Sequence, residues 1–218
     1  MTSHPFTLAG TQLIARPTGA LHWPDQNLLC VSDLHLGTSA RRVGTGNAAQ
    51  PPYETRDILT RLEADLKATG ARTLVCLGDG FDDTASPDDL SDDESQWIQT
   101  LQAGRRWVWI DGNHGPMDLG GTHLAELPLP PLTFRHVARR GASGEISGHF
   151  HPKAQVSIKD RDIARPAFLI DGDRAVLPAY GTYSGGTRCS DATLSNLMRR
   201  EAMAILTGRE THAIPMPR

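Results

Sequence analysis

The sequence lacks the features that would place this protein in a membrane or in an oxidising compartment. It contains no run of ~18 apolar residues, so we predict no membrane-spanning segment and no membrane partner. Residues 1–10 do not combine a basic start with an apolar stretch, so we expect no secretion signal. The three cysteines, Cys30, Cys76 and Cys189, are far apart in sequence. They predict reduced thiols in a cytoplasmic protein and exclude a cysteine-based metal site.

Net positive charge is also missing, and what positive charge there is comes almost entirely from arginine. The formal net charge is -3, but seven acidic residues and no basic residue lie between Asp82 and Glu94, and the rest of the chain carries about +4. Arginine suits bidentate contacts with phosphate. Arginine pairs are equally common on ordinary solvated surfaces, so charge alone does not decide whether the partner is a polyanion.

Three short apolar runs each lead into a residue that can bind a metal. The runs and the residues after them are 28–32 with Asp33, 73–77 with Asp79, and 107–110 with Asn113. Apolar runs of this length, bounded by turn residues, predict strands buried on both faces. An amphipathic segment at residues 53–69 and a capping box that opens residues 91–104 predict the helices between them. This βαβαβ unit would place the polar residues at the carboxyl ends of parallel strands.

The second half of the chain predicts a different arrangement, with short strands in place of long helices. The expected strands are residues 132–137, 144–148, 155–158, 167–171 and 175–178, with a hairpin turn at 171–173 and a last helix at 191–204. We therefore predict an α/β fold in which two facing mixed β-sheets are flanked by helices. Residues 1–218 are expected to form one domain.

Five short elements carry oxygen and nitrogen ligands in a fixed order. They are Asp33 with His35, Asp79, Asn113 with His114, the isolated His136, and His149 with His151. The first four have ordinary structural explanations when taken alone, such as a helix cap, a turn or a core histidine, whereas two histidines at the spacing of His149 and His151 are more often ligands. Two residues two positions apart in an extended segment project the same way, so Asp33 and His35 could reach one ion. Together the elements suit Mn²⁺, Fe or Zn²⁺ bound without thiolates.

The order DxH, GDxxD, GNH, isolated His and GHxH resembles the calcineurin-like metallophosphoesterase superfamily. Residues 33–37, 51–55, 121–124, 132–136 and 177–183 further resemble the bacterial DNA ligase-associated metallophosphoesterases. This resemblance implies a sandwich fold and a Mn²⁺-dependent DNA endonuclease that hydrolyses phosphodiesters by attack of a metal-bridging hydroxide. It also implies action on single-stranded or damaged DNA, in a repair system with an ATP-dependent DNA ligase, a helicase and an exonuclease.

The resemblance also implies a role for each residue of the motifs. One ion would be held by Asp33, His35, Asp79 and His151, and the other by Asp79, Asn113, His136 and His149. His114 would be the catalytic acid, and the candidate substrate contacts are Arg41, Arg42 and His123. Two positions depart from the pattern: Gly115 stands where an acid usually follows the GNH histidine, and Thr38 where we expect a lysine. They predict that His114 is looser or is held by another group such as Asp118, and that one phosphate contact is lost unless Arg41 or Arg42 replaces it.

The same metal centre serves other reactions, so the motifs leave the substrate open. A phosphatase or a cyclic-nucleotide phosphodiesterase is the main alternative to a DNA endonuclease. An inactive interaction scaffold is a third alternative, which the complete set of ligand residues disfavours. A long, open groove lined by arginine would favour a DNA strand, whereas a closed pocket would favour a nucleotide.

Overall fold

The computed structural model describes residues 2–37, 54–81, 87–113, 119–158, 161–181 and 185–218, which form two β-sheets flanked by helices. The first sheet contains β1 (His4–Leu8), β2 (Thr11–Ala15), β3 (Leu21–Trp23), β4 (Leu28–Ser32), β5 (Thr73–Leu77), β6 (Arg106–Ile110) and β7 (Thr122–Leu124), in that order across the sheet. Strands β1 to β4 pair antiparallel, and β4 to β7 pair parallel. The parallel part is the βαβαβ unit predicted from the sequence.

The second sheet holds the carboxyl-terminal strands and is also mixed. Its strands are β8 (Glu126–Leu129), β9 (Leu132–Arg135), β10 (Glu145–Ser147), β11 (Lys153–Ile158), β12 (Arg161–Ile170), β13 (Arg174–Val176), β14 (Met203–Leu206) and β15 (His212–Pro215). The order is β15-β14-β12-β13-β10-β9-β8, with β11 paired to β12 as a hairpin. Strands β9, β10 and β13 pair parallel, and the remaining pairs are antiparallel.

One hydrophobic core lies between the sheets and shows that they face each other. It joins Val75 and Val108 of the first sheet to Phe134, Phe168 and Ile205 of the second. Burial of apolar surface of this kind is the main stabilising term in folding. The shared core supports our proposal that residues 1–218 form one domain.

Helices cover the outer face of each sheet. Helices α1 (Glu54–Thr69) and α2 (Asp92–Gln102) pack on the first sheet, where Leu62 and Ile98 join the cluster around Leu74. Helix α3 (Ala192–Leu197) packs on the second sheet through Leu194. The predicted fold class is therefore confirmed. None of the helices in the described ranges is both long enough and apolar enough to cross a membrane.

Two local predictions are also confirmed, namely the capping box that opens α2 and the buried free thiols. The Ser91 hydroxyl accepts from the Glu94 backbone N–H, and the Glu94 carboxylate accepts from the Ser91 backbone N–H, which is a complete capping box. All three cysteines are buried free thiols. Burial raises the pKa of the Cys189 thiol to about 11, so it stays protonated near neutral pH.

Two predicted elements differ from the structure. The helix expected at residues 191–204 ends at Leu197, and residues 203–206 form β14 between β12 and β15. Pairing with two strands outweighs the local helical pattern there. The strand expected at 132–137 ends at Arg135, so His136 lies just beyond it. Strands β1 to β3 were not predicted, although β1 and β2 alternate in burial.

Candidate metal centre

The seven predicted metal ligands lie where strands of both sheets end. Asp33 and His35 follow β4, Asp79 follows β5, Asn113 follows β6, His136 follows β9, and His149 and His151 follow β10. Strands β4, β5 and β6 are parallel neighbours, and so are β9 and β10. Their carboxyl ends therefore meet at one edge of the sandwich, which is where α/β sheets place their sites.

Three of these side chains form a first cluster, made of Asp33, His35 and His151. One ligand atom of each lies within 4.8 Å of the others. The Nε2 atoms of His35 and His151 are 3.4 Å apart. His151 Nε2 is also 3.4 Å from Asp33 Oδ1. The aspartate is fully buried, and both histidines are partly exposed.

A second cluster contains Asp79, His136 and His149, again within 4.8 Å of one another. His136 Nε2 is 3.4 Å from Asp79 Oδ2 and 3.1 Å from His149 Nδ1. Asn113 joins this cluster, since its Nδ2 is 3.2 Å from His149 Nδ1. A flip of the amide would present Asn113 Oδ1 at the same point. His136 Nδ1 lies 3.8 Å from Asp33 Oδ1, so the two clusters adjoin.

The spacing of these atoms fits divalent cations. Bonds of about 2.0–2.2 Å to nitrogen or oxygen place neighbouring ligand atoms roughly 3–3.5 Å apart. The separations of 3.1–3.4 Å within the clusters lie in this range. Asp33 Oδ1 is buried and makes no hydrogen bond among the described residues, so a cation would supply the partner that a buried carboxylate oxygen needs.

In the second cluster, the charges around the two histidines set how readily each is protonated, and protonation would compete with metal binding. Burial lowers the pKa of His136, but its bond to Asp79 and the charges of Asp33 and Asp79 outweigh burial and raise that pKa above 6.5. Burial and the neighbouring His136 lower the pKa of His149 below 6.5. Because a histidine ligand must be neutral, protons compete with a metal chiefly at His136.

Three glycines allow the ligands to approach this closely. A Cβ added at Gly78 would lie 2.0 Å from His136 Nδ1, and one at Gly112 would lie 2.3 Å from Asp79 Oδ1. A Cβ at Gly148 would lie 1.6 Å from Ser32 Oγ. Side chains at these positions would force the ligands apart.

Ser32 is a supporting residue that the sequence analysis missed. Its hydroxyl donates to Asp33 Oδ2, and the His149 backbone N–H donates to the same oxygen at 3.0 Å. These two bonds leave Asp33 Oδ1 facing the histidines. The only signal in the sequence is that Ser32 directly precedes Asp33. That signal is misleading, because successive side chains of a strand point to opposite faces, and alternation would therefore place Ser32 away from Asp33.

The backbone of the ligand segments is left-handed at most ligand positions. Positive φ angles occur at Asp33 (52°), His35 (50°), Asp79 (33°), His149 (70°) and His151 (45°). The extended backbone expected at residues 33–35 is therefore wrong, although both side chains do reach one cluster. Left-handed φ at non-glycine residues is uncommon, and such strain concentrates at functional sites.

Most of the other predicted site residues belong to segments that the structure does not describe. Arg41, Arg42 and His114 lie outside the described residues, as do Thr38 and Gly115. His123 is on β7, where its ring stacks on Trp109 with centroids 6.4 Å apart. Its described ring contact is therefore with the first sheet, and its proposed role at the substrate stays a prediction.

Among solved structures, the chain is similar to the crystal structure of the Pseudomonas putida nuclease MPE. The TM-score is 0.76 at 24% sequence identity, and the alignment covers 98% of this chain and 100% of that chain. No protein-family model and no curated protein matches the chain. The protein therefore has the same two-sheet fold as a nuclease, and two clusters of side chains that could hold metal ions lie at one edge of that fold.

Proposed function

We propose that the protein is a two-metal phosphodiesterase that cleaves DNA, with Mn²⁺ as its ion. The observation that carries the proposal is the pair of adjoining clusters at the strand ends of a nuclease-like fold, in each of which the ligand atoms lie within 4.8 Å of one another and two pairs of them are 3.1–3.4 Å apart. Ligands of this kind suit Mn²⁺, Fe or Zn²⁺. The motif resemblance favours Mn²⁺ and a place in ligase-associated DNA repair.

In this proposal the first ion is held by Asp33, His35, Asp79 and His151, and the second by Asp79, Asn113, His136 and His149. Two bound divalent ions would neutralise charge on the phosphate and lower the pKa of a coordinated water to about 7. Asp79 Oδ2 faces His136, and Oδ1 accepts from the Asn113 backbone N–H at 3.0 Å, so these contacts support its place at the second ion. Its share in the first ion is what the motif resemblance implies.

Residues of the chain hold these side chains in the required poses. His136 Nδ1 is 3.3 Å from the Leu77 carbonyl, and that bond fixes the proton on Nδ1 and leaves Nε2 facing Asp79. Ser32 and the His149 backbone hold Asp33 Oδ2. The resemblance implies that His114 faces the phosphate, where in its protonated form it would stabilise the developing charge or donate a proton to the leaving oxygen.

The test compares substrates with the purified full chain. With Mn²⁺ we expect cleavage of single-stranded DNA and of bis-p-nitrophenyl phosphate, loss of both activities with EDTA, and recovery on adding Mn²⁺. Mononucleotides and cyclic nucleotides should be poor substrates. Hydrolysis of a mononucleotide or cyclic nucleotide without cleavage of DNA would replace the proposal with its main alternative. No hydrolysis with Mn²⁺, Fe²⁺ or Zn²⁺ would favour an inactive scaffold.

A further inference from the structure

A groove lined by arginines runs along the protein beside the metal centre. Its larger part has a volume of ≈ 1020 Å³ and lies between α1, residues 16–18, residues 179–181 and residues 207–208. Its smaller part, of ≈ 550 Å³, continues between the β11–β12 hairpin and the β14–β15 turn. Arg165 and Thr207 line both parts, so the parts are contiguous. We call this feature the arginine groove; its walls contain Arg16, Arg61, Arg165 and Arg209, together with the acidic residues Asp57, Asp65 and Glu210.

The arginine groove is physically connected to the first metal cluster. Gly181 lines the groove, and its backbone N–H donates to the Asp33 carbonyl at 3.0 Å. The neighbouring Tyr180 N–H donates to the Ser32 carbonyl at 2.7 Å. The wall of the groove and the loop that carries Asp33 are therefore joined through the backbone, and a strand lying in the groove would pass close to this loop.

The arginines of the groove differ in whether a carboxylate neutralises their charge. Arg16 is neutralised, because its Nε is 2.7 Å from Asp65. Arg61 lies 4.3 Å above the Tyr180 ring and donates to the Tyr180 carbonyl, but among the described residues it pairs with no carboxylate. Arg165 and Arg209 are exposed and likewise have no ion pair within the described part of the chain.

Several arginines elsewhere in the described chain show the contrast, because a carboxylate occupies their donors. Arg135 and Arg174 both bind the buried Glu145, at 3.1 and 3.0 Å. Arg199 makes a bidentate contact with Asp173, in which its Nε and Nη2 donate to the two carboxylate oxygens at 2.6 and 2.7 Å. In the arginine groove the guanidinium groups keep donors that can take a phosphate in the bidentate geometry that arginine favours.

The shape of the groove favours an extended ligand over a small one. Pockets for small ligands have volumes of about 300–1,000 Å³ and enclose most of the ligand. The larger part of the arginine groove alone lies at the top of that range, and the smaller part lengthens it. Thr60, Arg165 and Arg209 on its rim are exposed, so the groove is open along its length.

We propose that the arginine groove binds the sugar–phosphate backbone of the DNA on one side of the phosphate that is cleaved. This inference rests on the proposed function, because it assumes that the substrate is a polynucleotide. The contacts are made by Arg61, Arg165 and Arg209. Backbone contacts carry no sequence information, so binding in the groove should be insensitive to base sequence and strongly dependent on salt.

Equilibrium binding tests the groove without relying on catalysis. The variants are Arg165→Ala, Arg209→Ala and the double variant, with Arg200→Ala as control, because Arg200 is exposed and lines neither part of the groove. Anisotropy of a labelled oligonucleotide is measured in metal-free buffer over a series of salt concentrations. For single-stranded DNA, the slope of log K against log salt should fall by about 0.7 per arginine, and by about 1.4 in the double variant.

The affinity and the kinetics give two further readouts. Each single groove variant should raise Kd about two- to fivefold, the range expected for one exposed ion pair. With Mn²⁺, the groove variants should raise KM for single-stranded DNA and leave kcat/KM for bis-p-nitrophenyl phosphate unchanged, since that substrate is too small to reach the groove. The Arg200→Ala protein should match the wild type in every measurement.

The outcomes separate this inference from the proposed function. Wild-type salt slopes in the double variant, with both single-stranded and duplex DNA, would overturn the arginine groove while leaving a DNA-cleaving wild type intact. A slope change with only one of the two DNA forms would support the groove and identify the form that it binds. A wild type that hydrolyses bis-p-nitrophenyl phosphate but neither binds nor cleaves DNA would overturn both proposals.

Discussion

Replacing Gly148 by alanine tests how closely the two sheets must approach at the metal centre. The added Cβ would lie 1.6 Å from Ser32 Oγ, 2.9 Å from Ser32 Cβ and 2.7 Å from Asp33 Oδ2. All three separations are far below the ≈ 3.5–4.0 Å of a favourable contact. The serine hydroxyl can rotate away, but its Cβ moves only with β4, which is paired on both sides. The loop after β10 must therefore shift away from β4.

The size of the effect follows from packing and from the ligands that would move. Overpacking a buried position costs about 1–3 kcal/mol, and each kcal/mol lowers Tm by about 2–4 °C in a protein of this size. The shift also separates His149 N–H from Asp33 Oδ2, a bond of 3.0 Å that orients a predicted ligand. Loss of such a supporting contact weakens metal binding by about 10–100-fold.

Thermal unfolding with and without Mn²⁺ measures both consequences. We expect Gly148→Ala to lower Tm without metal, and to lower the Mn²⁺-dependent stabilisation by about 1.4 kcal/mol for each tenfold loss of affinity. Gly185→Ala is the matched control, because a Cβ there meets nothing within 4 Å. If Gly148→Ala kept the wild-type Tm and the wild-type response to Mn²⁺, the close approach of the two sheets would be refuted.

Three further predictions concern the ligands and the second sheet. Asn113→Ala and His149→Ala should each reduce bound Mn²⁺ from two ions to one and abolish DNA cleavage, as measured by metal analysis and a nuclease assay; full activity would disprove the ligand assignment. His114→Ala should keep both ions but slow DNA cleavage, and loss of metal would contradict its assignment as a proton donor. Glu145→Gln should destabilise the protein by about 3–5 kcal/mol in urea, because the buried Arg174 loses its carboxylate partner while the partly buried Arg135 keeps only Glu126. The exposed pair of Arg56 and Asp93 is the control, since Arg56→Gln should cost less than about 1 kcal/mol.

The parts of the fold that the sequence predicts well are those fixed by local chemistry or by complete burial. Strands β4 and β5 match the predicted bounds because strands buried on both faces appear as continuous apolar runs. The capping box predicted the start of α2 because its two hydrogen bonds join residues three positions apart. The predicted last helix ran into the first two residues of β14 because the partners of that strand, β12 and β15, are set by the fold and not by its own residues.

In the candidate metal centre, too, the residue types could be predicted from the sequence, whereas the backbone conformation could not. Oxygen and nitrogen ligands at strand ends can be read from the chain, but the left-handed turns that aim them cannot, since any aspartate or histidine adopts φ above zero only rarely. Distant hydrogen bonds impose these turns: His35 N–H donates to the Asp79 carbonyl at 3.0 Å, and Gly181 N–H donates to the Asp33 carbonyl at 3.0 Å. Each turn costs on the order of 1–3 kcal/mol, so the surrounding fold must hold it in place. Positive φ angles occur at five of the seven predicted ligands and at few other non-glycine residues of the described chain, and strained backbone of this kind concentrates at functional sites.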